Sequence, residues 1–204
     1  MIIEMRTYDL QPGTVPQYEK HFAEALPRRM EYSKLGAFWR TEIGPLNRII
    51  QVWPYESLEK REDILGKAHA GGIWPPAGEE LILAQESKIL APAPFSPPLV
   101  EAKLGDIYEI RTYTVKAGTL PEMLKRWAPL IEGRTKFSPL AACWYSILGP
   151  LNQFIHIWPY KDVNERNRVR KETQAPGKWP PPTRELLVKM ENIIAIPAAF
   201  SPLH

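Results

Sequence analysis

The groups best able to do chemistry fall in two short stretches of the chain. Glu109, Arg111 and Tyr113 alternate with Ile110 and Thr112, and His156 and Trp158 alternate with Ile155 and Ile157. A period of two puts each set on one face of an extended segment. His156 could then act as a base near neutral pH. Arg111 could hold an anionic or enolate oxygen, and Tyr113 could donate a hydrogen bond. A few polar groups among aromatic rings is the usual lining of a small-molecule pocket. A plainer reading stands beside this one. Glu and Arg two apart on a strand face also make surface or interface ion pairs, and a strand His beside Trp also serves as a hydrogen-bonded packing residue. Farther on, Arg166 and Arg170 stand one helical turn apart, a spacing that can clamp a carboxylate or phosphate. With Glu165 and Glu172 nearby, the same segment also reads as a solvated helix face.

Several function classes are excluded by what is missing. There is no G-x-S-x-G elbow, no Walker A loop and no G-x-G-x-x-G after a strand. The four His (21, 69, 156 and 204) lack zinc-ligand spacing, so no metal site is expected. A single Cys143 rules out an intrachain disulfide and suits a reducing compartment. It falls in a predicted strand, where burial would leave it inert. The 26 Lys+Arg against 23 Asp+Glu leave a formal +3, far too little to argue for nucleic acid. No apolar run approaches the roughly 20 residues of a membrane span. Glu4 and Arg6 already lie in a strand pattern, so no secretory leader is read. These features predict a cytoplasmic protein with no cofactor, no nucleic-acid partner and no membrane insertion. An apolar or anionic small molecule is the expected partner.

The elements that must position these residues occur twice. Offset by 105 positions, residues 1–99 fall on 106–204 without a gap, with 38 identities in the 99 pairs. Fourteen of the 22 Pro and six of the seven Trp pair at this offset. Two units are therefore expected, at 1–99 and 106–204, joined by a linker at 100–105. Residues 2–9 alternate as a strand, with Glu4, Arg6 and Tyr8 on one face. Thr14-x-Pro16-Gln17 and Thr119-x-Pro121-Glu122 then read as capping boxes opening a helix. Leu35–Ile43 reads as a second strand, Gly-Pro-Leu-Asn as a tight turn, and Arg48–Trp53 as a third strand stopped by Pro54. Ser57 and Asp162 stand at N-cap positions, Glu165 completing a box, before a broken helical segment interrupted by Trp-Pro-Pro. Last strands run near Glu86–Ala91 and Glu191–Ile196.

This order, β-α-β-β-α-β, is the ferredoxin-like arrangement, in which the first and third strands are neighbours. The predicted fold is α+β, two ferredoxin-like βαββαβ units packed sheet to sheet, each covering the other's bare face. On the third strand the aliphatic Ile50 and Val52, like Ile155 and Ile157, are expected to face the helices. Glu109, Arg111, Tyr113, His156 and Trp158, and in the first copy Arg6 and Tyr8, would then share the opposite, inter-unit surface. Phe95-Ser-Pro97 and Phe200-Ser-Pro202 read as arms that dock on their own or the partner unit. Charge divides unevenly: residues 1–99 carry 11 positive and 13 negative side chains, residues 100–204 carry 15 and 10.

The Glu-x-Arg-Thr-Tyr strand, the Gly-Pro-Leu-Asn turn and the strand ending His156-Ile-Trp-Pro-Tyr160 resemble the NIPSNAP family, as do Arg166-x-x-x-Arg170 and the closing Phe-Ser-Pro. The resemblance spans both halves. It implies a dimeric α/β-barrel fold, here a pseudo-dimer within one chain. The first copy has Gln51 where the family pattern carries the His and Leu65 where it carries the second Arg, and so reads as a structural partner. The resemblance implies a small-molecule-binding or interaction protein of unassigned activity, the family being associated in eukaryotes with mitochondrial and trafficking roles. The alternative is a cofactor-independent oxygenase or isomerase acting on an apolar or aromatic substrate in the barrel, by analogy of fold. A haem-binding variant with His156 as ligand is a third reading. A fused pair can still form a homo-oligomer through its outer surfaces.

Overall fold

In the computed structural model, which describes residues 1–174 and 179–204, the strand and helix order repeats once. The first unit contains β1 (Ile2–Leu10), α1 (Val15–Met30), β2 (Ala37–Ile43), β3 (Arg48–Tyr55), α2 (Leu58–Ala70) and β4 (Ile82–Pro92). The second contains β5 (Ile107–Val115), α3 (Leu120–Thr135), β6 (Ala142–Leu148), β7 (Gln153–Tyr160), α4 (Val163–Thr173) and β8 (Leu187–Pro197). Each unit pairs its strands antiparallel in the ferredoxin-like order, and β2 joins β8 while β4 joins β6 to close one barrel. Each unit's last strand therefore extends the other unit's sheet. The result is the pseudo-dimeric α/β barrel. Among the described residues, no helix is long and apolar enough to cross a membrane.

Local chemistry explains most element boundaries. The Gly-Pro-Leu-Asn turn needs left-handed backbone at its ends, and Gly44 (φ 128°) and Asn47 (φ 54°) supply residue types that tolerate it. Ser57 and Asp162 cap as expected, accepting from the Lys60 and Glu165 backbone N–H groups at 3.2 and 2.8 Å. Glu165 Oε2 accepts from the Lys161 backbone N–H at 2.6 Å. The Thr14 and Thr119 boxes do not form. Their hydroxyls turn back to the Gln11 and Lys116 carbonyls, at 2.8 and 2.7 Å, and cap nothing. Pro16 and Pro121 have already removed one first-turn N–H from need. Pro54 does not stop its strand either. β3 continues to Tyr55 because Pro54 pairs only toward β1, the β2 ladder having ended at Ala37 and Val52. A missing N–H costs nothing on an unpaired edge.

The expected division of faces is reversed. Ile50, Val52, Ile155 and Ile157 point away from the helices, into a core shared with Ile3, Met5 and Ile110 of both units. An eight-stranded barrel has an interior just wide enough for side chains to fill. Trp39 and Trp144 complete that packing. The opposite face, carrying Trp53 or Trp158, packs under the helices against Phe22 of α1 or Trp127 of α3. Both faces are buried, so strand parity alone separates the two sets without saying which lies inside. Cys143 lies on the helix side, buried, where desolvation pushes its thiol well above the ordinary range. The Phe-Ser-Pro arms cross between units. Phe200 packs on Phe22 and Phe38 at 5.5 and 5.0 Å, and Ser201 Oγ accepts from the Phe38 N–H at 2.9 Å. Ser96 Oγ accepts from the Cys143 N–H at 3.0 Å in the reciprocal contact.

Candidate functional site

Register gathers the second unit's predicted residues. On the β5–β7 pair Glu109 lies opposite Trp158, and Arg111 opposite His156, with Tyr113 next along β5. All five line one cavity of about 270 Å³ between the sheet and α3 and α4, closed further by Trp127, Arg134, Arg170, Trp179 and Arg184. It lies under the helices and outside the barrel interior. Arg6 and Tyr8 are the first unit's counterparts and border a separate hollow with Tyr18 and Leu65.

Glu109 is almost fully buried and holds the charge network together. It accepts from Arg111 Nη1 at 2.8 Å and Arg166 Nη2 at 2.5 Å, with Arg170 Nη1 at 3.9 Å from its other oxygen. Burial pushes this carboxyl up, but the Arg166 hydrogen bond and the Arg111, Arg166 and Arg170 charges outweigh it and hold the group below the usual carboxylate range. Arg166 thus grips a carboxylate that belongs to the protein itself, with Arg170 only at the edge of ion-pair distance. Arg168, between them, takes the solvated role beside Glu165 and Glu172. Arg111 is committed as well, its Nε donating to the Tyr113 hydroxyl at 2.8 Å.

His156 is placed differently from a base. The Trp158 indole N–H donates to its Nδ1 at 2.7 Å. A neutral imidazole has one acceptor nitrogen, so the proton sits on Nε2, an assignment made from this hydrogen bond. Burial, with Arg111, Arg134 and Arg170 adding repulsion, holds the ring well below the ordinary imidazole range and therefore neutral. Its one lone pair is spent on Trp158. No lone pair remains to take a substrate proton or to ligate haem iron. The Nε2–H has no acceptor among the described residues, and neither does the Trp127 Nε1–H. The two rings are 4.7 Å apart between centroids.

Sequence reasoning missed Arg134, Trp127 and Arg184. Arg134 is 4% exposed, donates to Ser138 Oγ at 2.9 Å and Tyr160 Oη at 3.0 Å, and stacks on Trp158 at 4.1 Å. Arg29 does the same in the first unit with Ser33, Tyr55 and Trp53. The available signal was an Arg on the apolar stripe of each first helix, at matching positions. Arg184 was legible as a charge reversal, because the first copy carries Glu79 there.

The equivalent place in the first unit is built on the same scaffold with other chemistry. Arg61 grips Glu4 with two hydrogen bonds, at 2.9 and 2.6 Å, and Leu65 replaces Arg170. The Trp53 N–H donates to Gln51 Oε1 at 3.2 Å, as Trp158 does to His156. Tyr18 replaces Met123 and lies 6.2 Å from Tyr8, placing two hydroxyls near the Gln51 amide. Four arginines (111, 134, 170 and 184) line the second unit's cavity with one carboxylate, Glu109, leaving three positive charges. The first unit's hollow is lined by Arg6 and Glu79, whose charges cancel.

The NIPSNAP family model matches the chain twice, over residues 3–97 and 108–202. A NipSnap homolog of Dictyostelium discoideum is 31% identical over 173 residues, which cover 83% of this chain and 74% of that protein. NipSnap homolog 2 of Mus musculus is 25% identical over 214 residues, covering 100% of this chain and 76% of its own. Among solved structures, an anthrone oxidase-like protein superposes with a TM-score of 0.62 over 98% of this chain and 93% of its own. At 10% identity this likeness concerns the fold alone. The chain belongs to the NIPSNAP family, carrying two copies of its domain in one polypeptide.

Proposed function

We propose that the second unit binds a small anionic molecule with a flat apolar body, and that the first unit is its structural partner. The observation that carries this reading is the excess of positive charge in a cavity walled by Trp127, Trp158 and Trp179. Glu109 neutralises only part of it. Arg170 reaches that carboxylate at just 3.9 Å, and Arg184 has no carboxylate partner among the described residues. These two supply the anion contact, and the indoles supply the apolar walls. The volume, about 270 Å³, suits a single-ring ligand. The unpaired Cys143 suits action in the cytoplasm. An acid–base enzyme acting through His156 is the less supported reading, since its lone pair is already engaged.

Benzoate titration followed by tryptophan fluorescence tests the proposal. Wild type is expected to bind saturably. The double variant R170L/R184E, which installs the first unit's residues, is expected to bind about tenfold or more weakly, as for loss of a charge-assisted contact. Equal affinity in the two proteins would remove these arginines from the site.

A further inference from the structure

The inner wall of the same cavity holds two buried N–H donors with nothing to donate to. His156 Nε2 and Trp127 Nε1 both lack an acceptor among the described residues, their side chains are 1% and 2% exposed, and both line the cavity. They cannot satisfy each other, because both are donors. The Trp158 N–H fixes which His156 nitrogen carries the proton, so the pair cannot rearrange to self-satisfy. The other groups around the His156 ring offer little relief. Tyr113 meets it edge to face at 4.7 Å, its hydroxyl is engaged by Arg111, and Cys143 is the register partner on β6.

The first unit differs at this wall. Phe22 stands where Trp127 does, so one donor is absent. Gln51 repeats the accept-on-one-side, donate-on-the-other chemistry of His156, and its Nε2 likewise has no acceptor among the described residues, so the orphan donor that sets the second unit apart is Trp127 Nε1. In the second unit Met123 replaces Tyr18, which withdraws one oxygen, while Phe22 becoming Trp127 adds a donor. A buried donor left unpaired is costly, by an amount comparable to the hydrogen bond it lacks. The second unit has thus gained a donor and lost an acceptor at one wall.

We infer that this cavity selects ligands bearing, besides the anionic group, a second oxygen acceptor such as a carbonyl, held by His156 Nε2–H and Trp127 Nε1–H together. The inference rests on the anion reading above and adds the chemistry of the ligand's other end. Arg170 and Arg184 take the charge, and the paired donors take the neutral oxygen. His156 and Trp127 act here as specificity-determining residues.

The test compares 4-acetylbenzoate with 4-isopropylbenzoate, which match in shape and charge but differ in the acceptor oxygen. Wild type is expected to prefer the acetyl compound by about tenfold or more, the loss expected when a buried donor goes unpaired. H156Q keeps an acceptor for Trp158 and a donor for the ligand, as Gln51 does, and is expected to retain the preference. H156L and W127F should each reduce it severalfold, and the double variant H156L/W127F should abolish it. The Gln and Phe replacements copy the first unit, so folding is expected to survive them. Equal binding of both compounds to wild type would overturn this inference and leave the anion reading intact. Failure of wild type to bind either compound would overturn the anion reading, and this one with it. Loss of preference in H156Q as complete as in H156L would also contradict the donor role.

Discussion

The two units share a backbone plan, a buried Glu–Arg pair and an arginine sandwiched between tryptophans, yet they differ where a ligand would sit. Both Glu4 and Glu109 hold an arginine two positions on in the same strand and one from the second helix. Arg29 and Arg134 are equally buried and use the same partner types. Features present twice answer to the fold, since both units must close the same barrel. Features present once have no such duty. Arg170, Arg184, His156 and Trp127 stand where the first unit has Leu65, Glu79, Gln51 and Phe22. Arg170, Arg184 and Trp127 each add a charge or a donor to the second cavity, while His156 keeps the donor that Gln51 offers. The comparison therefore separates what the two units share from what only the second carries.

The largest effect should come from breaking a shared feature. E4Q and E109Q each leave buried arginines without a carboxylate and are expected to cost about 3–5 kcal/mol in urea unfolding. E109Q should cost more, because Arg111, Arg166 and Arg170 all converge on it while Glu4 serves Arg6 and Arg61. A greater loss in E4Q would contradict the charge imbalance assigned to the second unit.

A smaller effect belongs to His156 alone and is read through pH. Its folded-state proton affinity is depressed by burial and by Arg111, Arg134 and Arg170, whereas the unfolded ring protonates normally. The unfolded chain therefore binds an extra proton below the ordinary imidazole pKa of about 6.5. Stability from this group is complete above that value and falls as pH drops, by about 1.4 kcal/mol per unit. The loss sets in above the range where the carboxylates titrate. H156Q should lack this component, matching the first unit's Gln51. Superimposable stability–pH curves for the two proteins between about pH 7 and 5 would refute the buried neutral ring.

The amino-acid sequence made the repeat, the strand order and the grouping of the polar residues legible, because each depends on local pattern. Glu109, Arg111, Tyr113, His156 and Trp158 meet as parity predicts. Which way they face was not legible, since aliphatic Ile155 and aromatic Trp158 are both buried and only closure of the barrel decides between them. The loss of the Thr14 box, with its hydroxyl diverted to the Gln11 carbonyl, reflects a competing turn that the motif does not announce. Arg134 escaped notice because its partners, Ser138, Tyr160 and Trp158, come from separate segments. Arg166 lies against a carboxylate of the protein itself. The anion was Glu109, 57 residues away, which sequence spacing cannot reveal.

The claim that binding belongs to the second unit is tested most directly by calorimetric titration with 4-acetylbenzoate. One ligand per chain is predicted, with affinity lost in R170L/R184E and unchanged when Leu65 and Glu79 are each replaced by Ala. Two ligands per chain, or loss of binding on changing Leu65 and Glu79, would contradict it.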